Sequence, residues 1–206
     1  ANSSVQCAAA DITLTGCTIN RKSDDSTVLW LSKYDDSNTA AGCSMTLNNC
    51  NVSCGVLVST DGKATINGGT YNIPGEKMGI VATGAVCITG GEFTTQIVAS
   101  TKGSITIESG TFNLGDKKFI SAAGGDITIE DGTFDSYLQA QTGSLTIKGG
   151  TFTGLVGALN GNITIKNGTF TGQTLAFSAN YPKYTGVLNI TGGVFAKEPQ
   201  GATGSI

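Results

Sequence analysis

Six cysteines are the residues best equipped for chemistry in this chain of 206 amino acids: Cys7, Cys17, Cys43, Cys50, Cys54 and Cys87. Five fall within the first 54 residues, and the chain has no histidine. An even, clustered set without histidine points to disulfides and an extracellular location; a zinc site would want CxxC pairs, and Cys50 and Cys54 are spaced CxxxC. Without histidine there is no His-based triad and no histidine pH switch. Four charged residues recur at wide spacing: Glu108, Glu130, Lys148 and Lys166. If the fold stacks them, they form a solvated charged face with Glu130 beside Lys148. Sharing of a calcium ion by Glu108 and Glu130 is the sharper alternative. No catalytic residue, cofactor or metal ligand is assigned, because paired acids of a glycosidase have no distinctive candidates.

Five N-x-S/T sequons, at Asn2, Asn51, Asn162, Asn167 and Asn189, are possible glycan attachment sites. A net charge of -3 with one arginine, Arg21, argues against nucleic-acid binding. No stretch of 18 apolar residues offers membrane insertion. The chain opens without a charged region followed by an apolar one, so a mature secreted form is expected.

The elements that position these residues come from a repeated phrase. Its clearest copies are Ser104–Phe112, Asp126–Phe134, Ser144–Phe152 and Asn162–Phe170. Weaker copies are Lys63–Tyr71, Ala85–Phe93 and Val187–Phe195, and two diverged ones are Asp11–Ile19 and Ser44–Val52. Equivalent positions recur at intervals of 18 to 33 residues, a fixed core with variable loops. Ile-Thr-Ile alternates apolar and polar, which predicts a strand with one buried face. A Gly, Asn or Asp corner follows, then a Thr-Phe strand with its aromatic inward. A third strand is expected at Gly55–Ser59, Ile80–Ala82, Ile97–Ala99, Phe119–Ala122, Tyr137–Ala140 and Leu155–Ala158.

Three short strands per coil predict an all-β, single-domain parallel β-helix spanning 1–206, with about nine rungs. Residues 1–54 form irregular first rungs with a capping insertion at 21–42, residues 55–196 regular coils, and 197–206 a C-terminal tail. Stacked equivalents sit about 4.8 Å apart. One inward column should therefore be Tyr71, Phe93, Phe112, Phe134, Phe152, Phe170 and Phe195. Cys17 and Cys50 share one slot a rung apart, within disulfide reach, and that bond is predicted. Cys87 replaces an outward threonine. Trp30, in Val28–Leu31, reads as part of a third strand in the first rung; a carbohydrate-contacting loop aromatic is the alternative.

The coils resemble the right-handed parallel β-helix of the pectate-lyase-like superfold and of secreted bacterial repeat proteins, over residues 11–196. Lyases of that kind hold calcium on Asp or Glu, with a Lys or Arg as base. The only arginine here lies in the terminal insertion, far from Glu108 and Glu130. Outward threonines form two columns, Thr13 to Thr164 and Thr18 to Thr169. These are similar to the arrays of ice-binding solenoids, although Glu92 and Asp135 interrupt them and threonine is also a good residue for a solvated strand face. No amphipathic helix caps either end, and open strand edges invite association. The expectation is a secreted structural rod that partners itself head to tail in filaments or a surface coat. The alternative is a glycan-binding or adhesin module, with polysaccharide lyase and ice-binding protein behind it.

Overall fold

In every copy of the phrase the two aliphatic positions turn inward and the residue between them outward, and this alternation builds the first wall of a parallel β-solenoid. A computed structural model describes residues 4–6, 11–20, 28–31, 42–73, 79–115 and 118–203. Phrase strands stack in the expected register: Leu14 opposite Leu47, Leu47 opposite Ile66, Ile66 opposite Ile88, and so on to Ile165 opposite Ile190. All nine copies join one sheet, whose pairings are parallel throughout.

The aromatic strands form the second wall. Tyr71, Phe93, Phe112, Phe134, Phe152, Phe170 and Phe195 stack one above another, with ring centroids 4.7–4.9 Å apart and planes within 12° of parallel. The rung spacing exceeds the thickness of a ring, so the near-parallel rings stack with an offset, and one aromatic per coil continues the column.

The third wall runs through Val28–Leu31, Gly55–Val58, Ile80–Ala82, Ile97–Ala99, Phe119–Ala122, Tyr137–Ala140, Val156–Ala158 and Thr174–Ala176. Trp30 thus lies in a third strand of the first rung. Ser4–Gln6 adds one more strand beyond it. Small residues line the inner corner of this wall: Ala82, Ala99, Ala122, Ala140, Ala158 and Ala176 are buried one per coil. Each coil alone would leave these residues wet, so stability comes from the neighbouring turns.

Nine rungs were expected; nine phrase copies do stack, and the coils from Ser44 to Ala176 make about seven regular turns. The first turn is interrupted, and most of the 21–42 insertion, like Asn2 and Cys7, lies outside the described residues. After the last phrase strand, the chain expected to be a tail turns back onto the rod. Gln200 bridges to Leu175, and Ala202–Thr203 pairs with Leu188 and Asn189.

The corner between phrase and aromatic strands has two forms. In the first two copies the left-handed residue is the first of the corner pair, Gly16 at φ 62° and Asn49 at φ 49°. Gly68 and Gly69 are both left-handed, at 71° and 95°, and from Gly91 onward the second position alone carries the positive φ. A Cβ on Gly69 would lie 2.2 Å from the carbonyl oxygen of Cys50. Glycine is therefore required at that slot, whereas Cys50 and Cys17 are tolerated one and two rungs earlier because the strain sits on the residue before them.

Candidate functional site

Outward columns of a solenoid inherit the same register as the core, so any site is a ladder of equivalent positions. Glu130 and Lys148 stand on adjacent rungs and form an ion pair of 2.7 Å, with both side chains more than two-fifths exposed. Such a pair contributes about 0–1 kcal/mol. Glu108, one rung earlier, accepts instead from the Cys87 thiol at 3.6 Å. Burial, then the Glu108 charge and hydrogen bond, push the Cys87 thiol up from its ordinary pKa. It stays protonated and unreactive at neutral pH. Among the described residues no group of three His, Cys, Asp or Glu side chains is placed to hold a metal ion.

The bond expected between Cys17 and Cys50 is not made. Their strands are aligned, Thr18 opposite Asn51, but both residues are thiols. Cys17 Sγ lies 3.5 Å from the carbonyl oxygen of Thr15, and Cys50 Sγ lies 3.4 Å from that of Leu14 and 3.5 Å from that of Asn48. Each thiol lies within reach of a backbone acceptor. Cys54 is buried, and desolvation raises its pKa. Among the sequons, Asn51, Asn162 and Asn167 are exposed and Asn189 half-buried. Asn51 accepts from Thr70 at 2.7 Å, and Asn167 accepts from the Gly168 amide at 2.9 Å.

Threonines stack as the two predicted columns, broken by Cys87 in one and by Asn51 and Glu92 in the other. Beside them Thr15, Asn48, Asn67 and Thr89 link side chain to side chain across four rungs, at 3.2, 2.8 and 2.8 Å. These contacts satisfy polar groups on the wall, as a structural ladder does.

The two ends differ from the middle. Among the described residues, Asp11–Thr15 and Thr18–Ile19 pair only with the next rung inward, and Val194–Phe195 pairs only with Thr169–Phe170. Core residues are partly uncovered there: Ile12, Leu14 and Ile19 at one end, Phe195 at the other. Val194 and Val187 are the large aliphatics exposed among the described residues, at 67% and 45%. The returning residues 200–203 cover parts of the phrase and third walls at the C-terminal end, which among the described residues leaves the aromatic wall as its open edge.

The outer surface of the third wall carries a feature that the sequence reading missed. Its outward column begins apolar and half-exposed, with Trp30, Leu57, Val81 and Val98. The Trp30 indole N–H donates to Ser59 Oγ at 2.9 Å. Farther along, the chain between Ala176 and Val187 leaves the coil in a short 3-10 turn, Phe177–Ala179, and brings Phe177, Tyr181 and Tyr184 together with ring centroids 5.6–6.3 Å apart. Phe177 lies over Gly157, where a Cβ would meet its ring at 2.5 Å. Tyr137 is close enough to Tyr184 to feel its charge; burial first, and then Tyr184, push the Tyr137 hydroxyl up to about 12. The signal was the long interval between Ile165 and Ile190, an insertion carrying three aromatics.

No family model, no curated protein and no solved structure matches this chain.

Proposed function

We propose that this protein is a secreted structural rod that assembles end to end, continuing its sheets from one copy to the next. The observation that carries this reading is the pair of complementary open edges on the aromatic wall. Thr18–Ile19 at one end and Val194–Phe195 at the other each lack an outer neighbour among the described residues. The inward column runs Ile19, Val52, Tyr71 and on to Phe195. A second copy set in register would therefore place its Ile19 over the uncovered ring of Phe195. Exposed, unprotected strand edges are templates for this kind of pairing, and a heterologous contact that does not close yields filaments. The right-handed, pectate-lyase-like assignment belongs to the same reading. It is supported by coils of varied length, against the strict hexapeptides of left-handed helices.

Electron microscopy and sedimentation of purified protein, at low and high concentration, test it. Filaments with an axial repeat near one rod length are expected, and Val194→Asp should abolish them. Isolated short rods at every concentration, or filaments indifferent to Val194→Asp, would refute it.

A second reading, a glycan-binding or adhesin module, is favoured by the surface grouping of Tyr137, Tyr181 and Tyr184. Of the five tyrosines, Tyr71 is buried in the core and Tyr34 lies outside the described residues; the other three share one region of the rod.

A further inference from the structure

At the corner between the aromatic and third walls, three successive coils frame a groove of about 380 Å³ lined by Asn113, Gly115, Asp135, Ser136, Tyr137, Gly154 and Leu155. We infer that this groove is a binding site for one or two neutral sugar units of an extended glycan lying along the rod. The inference rests on the binding-module reading above and gives it a place and a ligand class.

The register supplies the two walls of the site. Asn113 and Asp135 are opposite each other on adjacent rungs and exposed. Tyr137 is opposite Phe119, both at the start of a third-wall strand, and the half-buried Leu155 comes just before the next such strand. One wall is thus polar and the other aromatic and aliphatic. Both repeat at the 4.7–4.8 Å rung spacing seen in the ring stack beneath them, which is comparable to the length of one pyranose. A pyranose presents a C–H face and an edge of hydroxyls. The face packs on a ring such as Tyr137, and the hydroxyls exchange hydrogen bonds with an amide and a carboxylate, which together offer donors and acceptors. Asp135 Oδ1 already accepts from Thr153 Oγ1 at 2.8 Å. That bond fixes the carboxylate and leaves its second oxygen without a protein partner among the described residues.

Charge narrows the class. Asp135 is the one charged residue among the described residues lining the groove. Its carboxylate, with no cation among the described residues lining the groove to offset it, repels uronates and sulfated sugars, so neutral hexose or pentose chains are favoured. The aromatic group beside it extends the platform. Tyr184 sits near Tyr137, and Tyr181 is 53% exposed. Tyrosine supplies a large contact area at small conformational cost, which suits weak, repeated contacts with a sugar chain.

The test is titration of the intact protein with cellohexaose, maltohexaose, xylohexaose, mannohexaose and, as the anionic probe, hexagalacturonate. Calorimetry and amide chemical-shift mapping are the readouts. At least one neutral hexasaccharide should bind, with shifts centred on Asn113, Asp135 and Tyr137, and hexagalacturonate should not. Asp135→Ala should weaken binding at least tenfold, and Tyr137→Phe should retain it. Asp135→Ala alters an exposed side chain, so circular dichroism should be unchanged; shift mapping on the unaltered protein stands by itself if a variant fails to fold. Binding with shifts elsewhere, or unaffected by Asp135→Ala, overturns the site while sparing the binding-module reading. Binding of hexagalacturonate alone overturns the ligand class. No binding by any probe overturns both.

Discussion

Replacing Phe134 by alanine examines the logic of the whole rod. Phe134 is fully buried, and its ring lies 4.7 Å from Phe112 on one side and 4.8 Å from Phe152 on the other. Truncating a buried phenylalanine costs about 3–5 kcal/mol in transfer and cavity terms. Here neither neighbour can collapse into the space, because each is held by the rung spacing of its own strand, and two stacking contacts are lost; the upper end of the range is expected. Phe195 gives the internal comparison. It has one stacking partner, Phe170 at 4.7 Å, and is only half-buried. Phe195→Ala should cost about 1–2 kcal/mol, since both the area removed from water and the stacking are roughly halved. Urea unfolding followed by circular dichroism measures both variants, with the slopes compared so that a change in midpoint can be read as stability. Equal losses at the two positions, or a loss below about 1 kcal/mol at Phe134, would refute the account of the column as a chain of nearest-neighbour contacts.

Tyr71 heads that column, and its buried hydroxyl has no hydrogen-bond partner among the described residues; Tyr71→Phe should be neutral or stabilise by up to about 2 kcal/mol in the same assay. Burial, and then Cys50, raise the Tyr71 hydroxyl well above its ordinary value, and Tyr137 is pushed up to about 12. Both are neutral in the folded state where the unfolded chain would ionise, so their contribution to stability is full below about pH 10 and is lost as pH climbs toward 12. Thermal melts across that window should fall with pH, and fall less in Tyr71→Phe. Gly132, at φ 134°, would place a Cβ 3.0 Å from both the Gly110 carbonyl oxygen and the Phe134 ring, whereas Gly115, at φ 75°, has nothing within 4 Å. Gly132→Ala should cost more than about 2 kcal/mol and Gly115→Ala about 1 kcal/mol, measured by midpoint shift. Mild oxidation should join Cys17 to Cys50, whose strands are already aligned, and peptide mapping without reductant would identify the crosslink; a map that never shows it counts against the pairing.

Much of the fold was legible because each rung repeats the same physical demand. A period-two strand, a corner residue and one inward aromatic specify register without knowledge of neighbours, and every predicted aromatic lies in its column. What the sequence hid were features written once. Gln200, Ala202 and Thr203 pair with the last coils through backbone bridges, joined by single side-chain bonds from Asn180 to Gln200 and from Thr203 to the Leu188 carbonyl, and none of these repeats as a pattern. Cys17 and Cys50 occupy aligned slots as free thiols, and spacing alone brings two thiols to one place without joining them. The groove at Asp135 and Tyr137 joins residues from three coils whose separate identities, an amide, an acid and a phenol, carry no motif. The aromatic excursion was visible as a long interval, and only the fold shows which wall it lands on.

The two corner forms divide the rod like a grain boundary in a crystal. On one side the left-handed twist falls on the first residue of each corner, on the other side on the second, and the Gly68–Gly69 coil, left-handed at both, is the interface. The ladder between Lys63–Tyr71 and Ala85–Phe93 accordingly slips at Asn67 and again before Thr70. A lattice with one such boundary can be lengthened by adding coils on either side, yet a coil copied from one side does not fit the other. Duplications that lengthen this rod therefore carry a memory of which block they came from, and the boundary itself has to be kept.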